Sequence, residues 1–539
     1  MSRYLRISLE TWILFGILAL TLLLYGVLLS APALPWDDDS NIFNNPFYRS
    51  GQWSVFWKGP YYGLYVPLTT FVWQVLFTLG RGEVWPFRVL NLTLHSANVF
   101  LVFLILRRWS QHLKVPSVWP LGASVMLFAW HPLQVESVAW ISGGRDLLSA
   151  FFALLALVFY ARDEKWNSYA LATFLFVAAL LSKPGAVVWP AVCFGVDLLT
   201  RPERLRVLWP RLAAWLPVSA VIMLMTERAQ VEHLVPVDWW LRPWVMLDTY
   251  AFYLRKIIWP IGLAGNYGRT PEIVLGAPRT LFVGLGFAVA LIALSVWALR
   301  RRERALLTPW LWVILLLPVS GLVSFGYQRN STTADHYSYL AMVVVGAMVL
   351  AVLAGDLGRS RVLRGISALM VIGFFALAWQ RVQVWRSAES FFRDMAETSP
   401  HSYATAIGMS VVECHERQDY DQGILWTERA LLQRPHDITA LANQAYCLIH
   451  AKNFFRVRDL DDELDHLDLE EMEAKNPTAY SSLLASIGTA LMELTEYEDG
   501  YPYLCEAYRI KPSEPSYQRN LEIGARLMHE HDLDANCPE

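Results

Sequence analysis

Residues 11–30 (TWILFGILALTLLLYGVLLS) are an apolar run of about the ~20 residues that a helix needs to cross a bilayer. Further apolar runs follow at 86–106, 117–131, 147–161, 168–182, 185–199, 212–226, 280–299, 308–324, 338–355 and 365–385. The loops between them alternate in charge. Basic clusters stand at Arg107, Arg108 and Lys114, at Arg162 and Lys165, at Arg201, Arg204, Arg206 and Arg211, at Arg300, Arg301, Arg302 and Arg304, and at Arg359, Arg361 and Arg364. Loops rich in Lys and Arg stay on the cytoplasmic side, where Arg3 and Arg6 also fall. The pattern predicts an all-α polytopic protein of about eleven transmembrane helices, with its amino terminus inside and its last run exiting to the outer side. The apolar segment 244–264 is split by Arg255 and Lys256; if it spanned, Arg300–Arg304 would lie outside, so it reads as an interfacial or re-entrant helix. A cleaved leader ending at Ala31-Pro32-Ala33 is the alternative for the first run, but that run is longer than a usual leader core and many spans follow.

After residue 386 the hydropathy becomes ordinary and the charge acidic, which sets the domains at 1–386 and 387–539. The second domain carries a repeat of about the tetratricopeptide period. In one copy Gly408, Tyr420, Gly423, Ala430 and Pro435 hold the offsets that Gly488, Tyr497, Gly500, Ala507 and Pro512 hold in another. Leu441, Ala445, Leu448 and Phe454 fit a degenerate unit between them. Such an array predicts a helical solenoid that binds an extended peptide or partner, or one that only braces the membrane part.

Composition agrees: 55% of the 539 residues are hydrophobic and 17% charged, too apolar for one soluble domain. The arginines form short clusters and no continuous stripe, which excludes a nucleic-acid surface. Cys414, Cys447, Cys505 and Cys537 lie in the second domain without zinc-ligand spacing. Disulfides among them are allowed if that domain is exported, with connectivity open.

Candidate chemistry centres on Trp36-Asp37-Asp38-Asp39, just beyond the first span. Three adjacent carboxylates are costly to desolvate, so they belong in water or a polar cavity at the outer surface, where one can serve as a base. A solvated, helix-capping loop is the plain alternative, with Asp39 as the cap. The outer interval 131–146 adds His131, Glu136, Arg145 and Asp146, and Lys183 ends a later span.

Several blocks carry a resemblance: Trp36-Asp37-Asp38-Asp39 with Asn45-Pro46, Val66-Pro67-Leu68-Thr69, Asn91-Leu92-Thr93-Leu94-His95, and His131-Pro132-Leu133-Gln134-Val135-Glu136-Ser137-Val138-Ala139-Trp140. Gly144-Arg145-Asp146, Ser182-Lys183-Pro184, Pro318-Val319-Ser320 and Asp335-His336-Tyr337-Ser338-Tyr339 continue it. In this order, and followed by repeats, they resemble the transmembrane O-mannosyltransferases with tetratricopeptide repeats, within the GT-C glycosyltransferases. The chain departs from that pattern at Val66, at Pro184 and at Asp335-His336-Tyr337, where relatives usually have Arg, an acid and Glu-Arg-Tyr. The resemblance implies inverting transfer of one sugar, mannose or another hexose, from an undecaprenyl- or dolichyl-phosphate carrier to a protein Ser or Thr hydroxyl. Asp37 is then the expected base, with Asp38 orienting it or the acceptor. Arg145, Lys183, His336 and Arg329 are expected at the donor phosphate, and His131, Glu136, Asp335 and Tyr339 along the pocket. The aromatics Trp53, Trp57, Tyr61 and Tyr62 are candidates to stack on the sugar or hold the prenyl chain. A divalent ion near Asp37 and Glu136 is allowed but not demanded by the spacing. A lipid or cell-envelope glycan acceptor, and a non-enzymatic membrane-anchored scaffold, are the alternative readings. Short loops favour a bacterial inner membrane with a periplasmic second domain over the endoplasmic reticulum.

Overall fold

The computed structural model describes residues 8–537 other than 61–62, 116, 163–164, 231–233, 278, 302, 356–359, 465–467, 470–471 and 474–475. The expectations resting on Arg3, Arg6, Tyr61, Tyr62, Arg302 and Arg359 lie outside the described residues. All regular structure among the described residues is helical. The chain divides into two units, Met1–Phe391 and Phe392–Glu539.

The described residues of the first unit do not form the expected eleven spans. Among them, four helices are long and apolar enough to cross a membrane: Leu9–Ser30, Trp85–His112, Leu281–Arg301 and Arg361–Val384. The number rises to six if two bent pairs each count as one span, Pro132–Ala139 with Gly144–Tyr160 at 109° and Pro202–Ala213 with Leu216–Gln230 at 44°. The remaining apolar runs fold as shorter helices, such as Trp119–Trp130 and Trp166–Ser182. Hydropathy registers apolar content but not the point at which a helix stops. His131 leaves helical geometry before Pro132, which ends Trp119–Trp130 after 12 residues, about 18 Å of rise where the hydrocarbon is about 30 Å thick. The segment read as interfacial or re-entrant forms Arg242–Ile258 and is not among the helices of spanning length. Its buried Lys256 donates from Nζ to the carbonyls of Ile261 at 2.7 Å and Gly262 at 2.5 Å.

Helix ends sort to two sides of this unit. Trp85–His112 begins beside the 138–142 turn, where Asn91 Nδ2 donates to Trp140 O at 2.9 Å, and ends at Arg107, Arg108 and His112. Gly144–Tyr160 begins at Arg145 and runs toward Arg162. Arg361–Val384 starts where Arg364 lies over Trp119, 5.7 Å from its ring centre. It leads to Trp385 and to Phe391, whose ring sits 6.2 Å from that of Trp36. The acidic loop and the last residues of this unit therefore share one end.

The second unit is a series of helices, each packed on the next: Tyr403–Val411, Tyr420–Gln433, Ile438–His450, Pro477–Glu493, Tyr497–Ile510 and Pro515–Glu530. Two of the repeated glycines mark a close approach. A Cβ at Gly488 would meet Gly500 O at 2.9 Å, and one at Gly500 would meet Gly488 O at 3.0 Å, so only glycine lets Pro477–Glu493 and Tyr497–Ile510 come this near. Disulfides join Cys414 to Cys447 and Cys505 to Cys537, 33 and 32 residues apart; the first ties the end of the Tyr403–Val411 segment to Ile438–His450, and the second ties Tyr497–Ile510 to the chain beyond Pro515–Glu530. A disulfide contributes typically about 2–4 kcal/mol by restricting the unfolded chain. Dithiothreitol is accordingly expected to lower the calorimetric transition of the second unit in the intact protein and leave that of the membrane unit in place; a transition indifferent to reductant would contradict the pairing.

Candidate active site

The loop after the first span is built around Asp38. Asp38 is fully buried, and its Oδ1 accepts from Ser142 N at 2.9 Å and Ser142 Oγ at 2.7 Å, with Leu34 N reaching Oδ2 at 3.5 Å. Arg88, a buried cation on Trp85–His112, donates to the carbonyls of Pro32 at 2.5 Å, of Ala31 at 3.4 Å and of Ala139. The two residues fasten the acidic loop to the 138–142 turn. A buried charge is tolerated when it is paired and hydrogen-bonded, and here Arg88 and Asp38 each supply the other's countercharge. Burial raises the Asp38 carboxyl to about 6, while Arg88 and the Ser142 bonds hold it from rising further.

Downstream, Asp39–Phe43 forms one wide helical turn. Asn45 Oδ1 then caps the next short helix at Phe47 N, 3.0 Å away, and Pro46 supplies its first residue.

With Asp38 fixed, Asp37 faces the start of Gly144–Tyr160. The helix enters closely because a Cβ at Gly143 would meet Ser137 O at 2.7 Å and one at Gly144 would meet Asn91 Oδ1 at 2.7 Å. Arg145 Nη2 stands 3.8 Å from Asp37 Oδ2, with side-chain exposures of 10% and 49%, and its guanidinium lies 5.0 Å from the ring centre of Trp140. Asp37 is thus half-exposed, and burial by the surrounding protein lifts its carboxyl above the ordinary range against the opposing pull of Arg145. A raised, accessible carboxylate is suited to accept a proton.

The cations expected at a phosphate divide. Lys183 follows the end of Trp166–Ser182, pairs with Asp146 and lies 5.1 Å from the Tyr337 ring centre. His336 Nδ1 is 2.6 Å from Glu136 Oε1, and Asp335 N donates to Glu136 Oε2 at 3.1 Å. Burial, with Lys183 and Arg145 nearby, holds the His336 imidazole well below its usual value, and its Nδ1 is engaged by Glu136. Arg329 is exposed.

Glu136 and Asp335 join the late loop, residues 326–338, to the 132–139 turn, and Tyr267 OH donates to Asp335 Oδ1 at 2.6 Å. His131 and Tyr339 are placed elsewhere. His131 Nε2 lies 3.0 Å from Ile257 O, and its Nδ1 accepts from Leu133 N at 3.2 Å. Tyr339 OH meets His95 Nδ1 at 2.8 Å and Asn98 Nδ2 at 3.2 Å inside the bundle. The recess beside Arg145 is lined also by Asn41, Phe56, Val66 and Trp73 and encloses about 20 Å³, room for roughly one water. Trp53 and Trp57 are exposed, and Trp53 packs on Phe71. Among the described residues no group of three or more His, Cys, Asp or Glu is placed to hold a metal ion.

Arg88, Ser142 and Tyr267 were not singled out in the sequence. For Arg88 a signal existed, since a cation inside an apolar span marks a functional or pairing role. Ser142 and Tyr267 carry no such signal before the loops are folded together.

No protein-family model matches the chain. It is similar to the protein O-mannosyl-transferase Tmtc1 of Drosophila melanogaster, 31% identical over 153 residues, which is 27% of this chain and 17% of that protein. It is also similar to the protein O-mannosyl-transferase TMTC2 of Mus musculus, 27% identical over 206 residues, 38% of this chain and 21% of that protein. Each match thus spans about a fifth of the relative's length. Among solved structures, ArnT from Cupriavidus metallidurans in the apo state aligns with a TM-score of 0.36 and 16% identity, over 82% of this chain and 75% of that one. Over part of its length the chain is therefore similar to protein O-mannosyl-transferases.

Proposed function

We propose that the protein is an integral-membrane glycosyltransferase that moves one sugar, mannose or another hexose, from a polyprenyl-phosphate carrier to a Ser or Thr hydroxyl of a protein, with inversion. The observation that carries this reading is the placement of the half-open Asp37 carboxylate 3.8 Å from the Arg145 guanidinium, at the end of the bundle that also holds Lys183. Asp37 takes the proton of the acceptor hydroxyl, and the freed oxygen pair bonds to the anomeric carbon from the face opposite the phosphate. The bond from that carbon to the phosphate oxygen breaks, and its electron pair leaves with the lipid phosphate. Arg145 and Lys183 offset the charge that grows there, an effect worth most where water is excluded. Asp38 and Arg88 position Asp37, while Glu136, His336 and Asp335 hold the late loop against the site.

The second unit reads as a tetratricopeptide solenoid that presents the acceptor from the same outer compartment. Its two disulfides suit an oxidising space such as the periplasm or the lumen of the endoplasmic reticulum. The short loops favour the bacterial inner membrane and an undecaprenyl carrier. Mass spectrometry of envelope proteins and glycolipids from cells with and without Asp37→Asn tests the assignment. Loss of one hexose from a protein class is expected, loss from a glycolipid would move the acceptor to that class, and no change in either would refute transfer.

The raised Asp37 carboxyl also sets the pH response. A base must be ionised, so kcat/KM is lost as pH falls through its value, above the ordinary carboxylate range. Arg145 pulls that value down. Arg145→Gln is therefore expected to move the acid limb of the pH profile upward, in addition to slowing the reaction; a slower enzyme with an unshifted limb would separate Arg145 from the base.

A further inference from the structure

A second cavity lies far from this site. It encloses about 300 Å³ between Trp85–His112, Gly144–Tyr160, Trp189–Thr200 and Ala341–Ala354, and its walls are mostly apolar, with Leu154, Val158, Val196 and Val344 beside Trp109 and Trp189 and the hydroxyls of Thr200 and Thr308. Its mouth is basic. Arg108, His112 and Arg201 stand at the helix ends opposite the acidic loop. Along Trp85–His112, Arg108 is 17 residues beyond Asn91, about 26 Å of rise, which puts the mouth in the other leaflet. The walls follow Trp189 to Arg201, about 18 Å of helix.

Arg201 is held there by a dedicated arrangement. Its Nε donates to Asp197 Oδ1 at 2.6 Å, Tyr160 OH donates to Asp197 Oδ2 at 2.5 Å, and the guanidinium lies 5.3 Å from the Tyr160 ring centre. Asp197 is fully buried. An acid in an apolar helix is costly, and this one fixes a planar cation, with its remaining N–H groups, at the rim of an apolar hole. Arg108 Nη1 is steadied by Val158 O at 3.2 Å. Inside, Trp189 lines the wall, and its buried indole N–H finds no acceptor among the described residues.

We propose that this cavity binds one anionic glycerophospholipid from the leaflet opposite the acidic loop, with an acyl chain between the helices and the phosphate at Arg201 and Arg108. The charge pattern selects this occupant. An apolar interior takes a hydrocarbon chain, and a paired guanidinium rim takes a phosphate that carries net negative charge. The inference does not depend on the transferase reading.

The test uses the full chain in phosphatidylcholine nanodiscs with a small fraction of phosphatidylglycerol that carries a diazirine on one acyl chain. Photolysis and peptide mass spectrometry are expected to place adducts within 154–161 and 189–201. Excess unlabelled phosphatidylglycerol is expected to suppress them, and inorganic phosphate or phosphatidylcholine to leave them. Arg108→Gln, at an exposed position, weakens competition about fivefold, and Val158→Trp removes the adducts while thermal unfolding stays near wild type. Absence of adducts on these segments, equal competition by phosphatidylcholine, or displacement by free phosphate would each overturn the proposal. If Val158→Trp fails to fold, the competition series and Arg108→Gln decide alone.

Discussion

Asp37→Asn is expected to lower kcat by about 10²–10⁴-fold, the range that a positioned general base supplies. The substitution keeps the shape of the side chain and removes only its capacity to take a proton. It leaves Asp38 bonded to Ser142 and Leu34, so the loop stays fastened and the variant should fold. Donor affinity should change little, because the phosphate is assigned to Arg145 and Lys183, and the rate should fall without a matching rise in KM for the donor. Single-turnover transfer and donor binding measured on the same preparation separate these terms. A variant that keeps wild-type turnover would return the acidic loop to a solvated cap and leave the scaffold reading standing.

Removal of residues 392–539 should lower transfer to a protein acceptor by about 10²–10⁴-fold, the gain that a tethered second binding site confers through effective concentration, while transfer to a short hydroxyl acceptor survives. The membrane unit has its own core as far as Phe391, which packs on Trp36 and Trp385, so the cut spares the contacts around the acidic loop. The repeat helices have a separate core around Leu441, Leu448, Leu483 and Leu491. Equal loss with both acceptors would make the second unit a brace, and no loss with either would remove it from acceptor choice.

The helical class was legible because it is written locally. The period of apolar positions and the basic loops each act within a few turns of chain. The span count was not legible, since an apolar run does not show the length of the helix it forms: 117–131 yields Trp119–Trp130, a helix of 12 residues. At the site, the pairings of Asp37 with Arg145, Lys183 with Asp146 and His336 with Glu136 could not be read along the chain, because each joins residues from separate segments. Tyr339 and His131 lie beside the same motifs in sequence, yet helical geometry turns them into the bundle toward His95 and Ile257. Arg88 was missed because its three carbonyl partners come from two loops that adjoin only after folding.

The central claim is tested most directly by the purified full-length protein with an α- or β-hexosyl-phosphopolyprenol of defined configuration and a Ser/Thr-containing protein acceptor, with the anomeric carbon of the product read by proton NMR. The account predicts one hexose on the hydroxyl in the configuration opposite to the donor. Retained configuration, or no hexose on the acceptor while the donor stays intact, would contradict it.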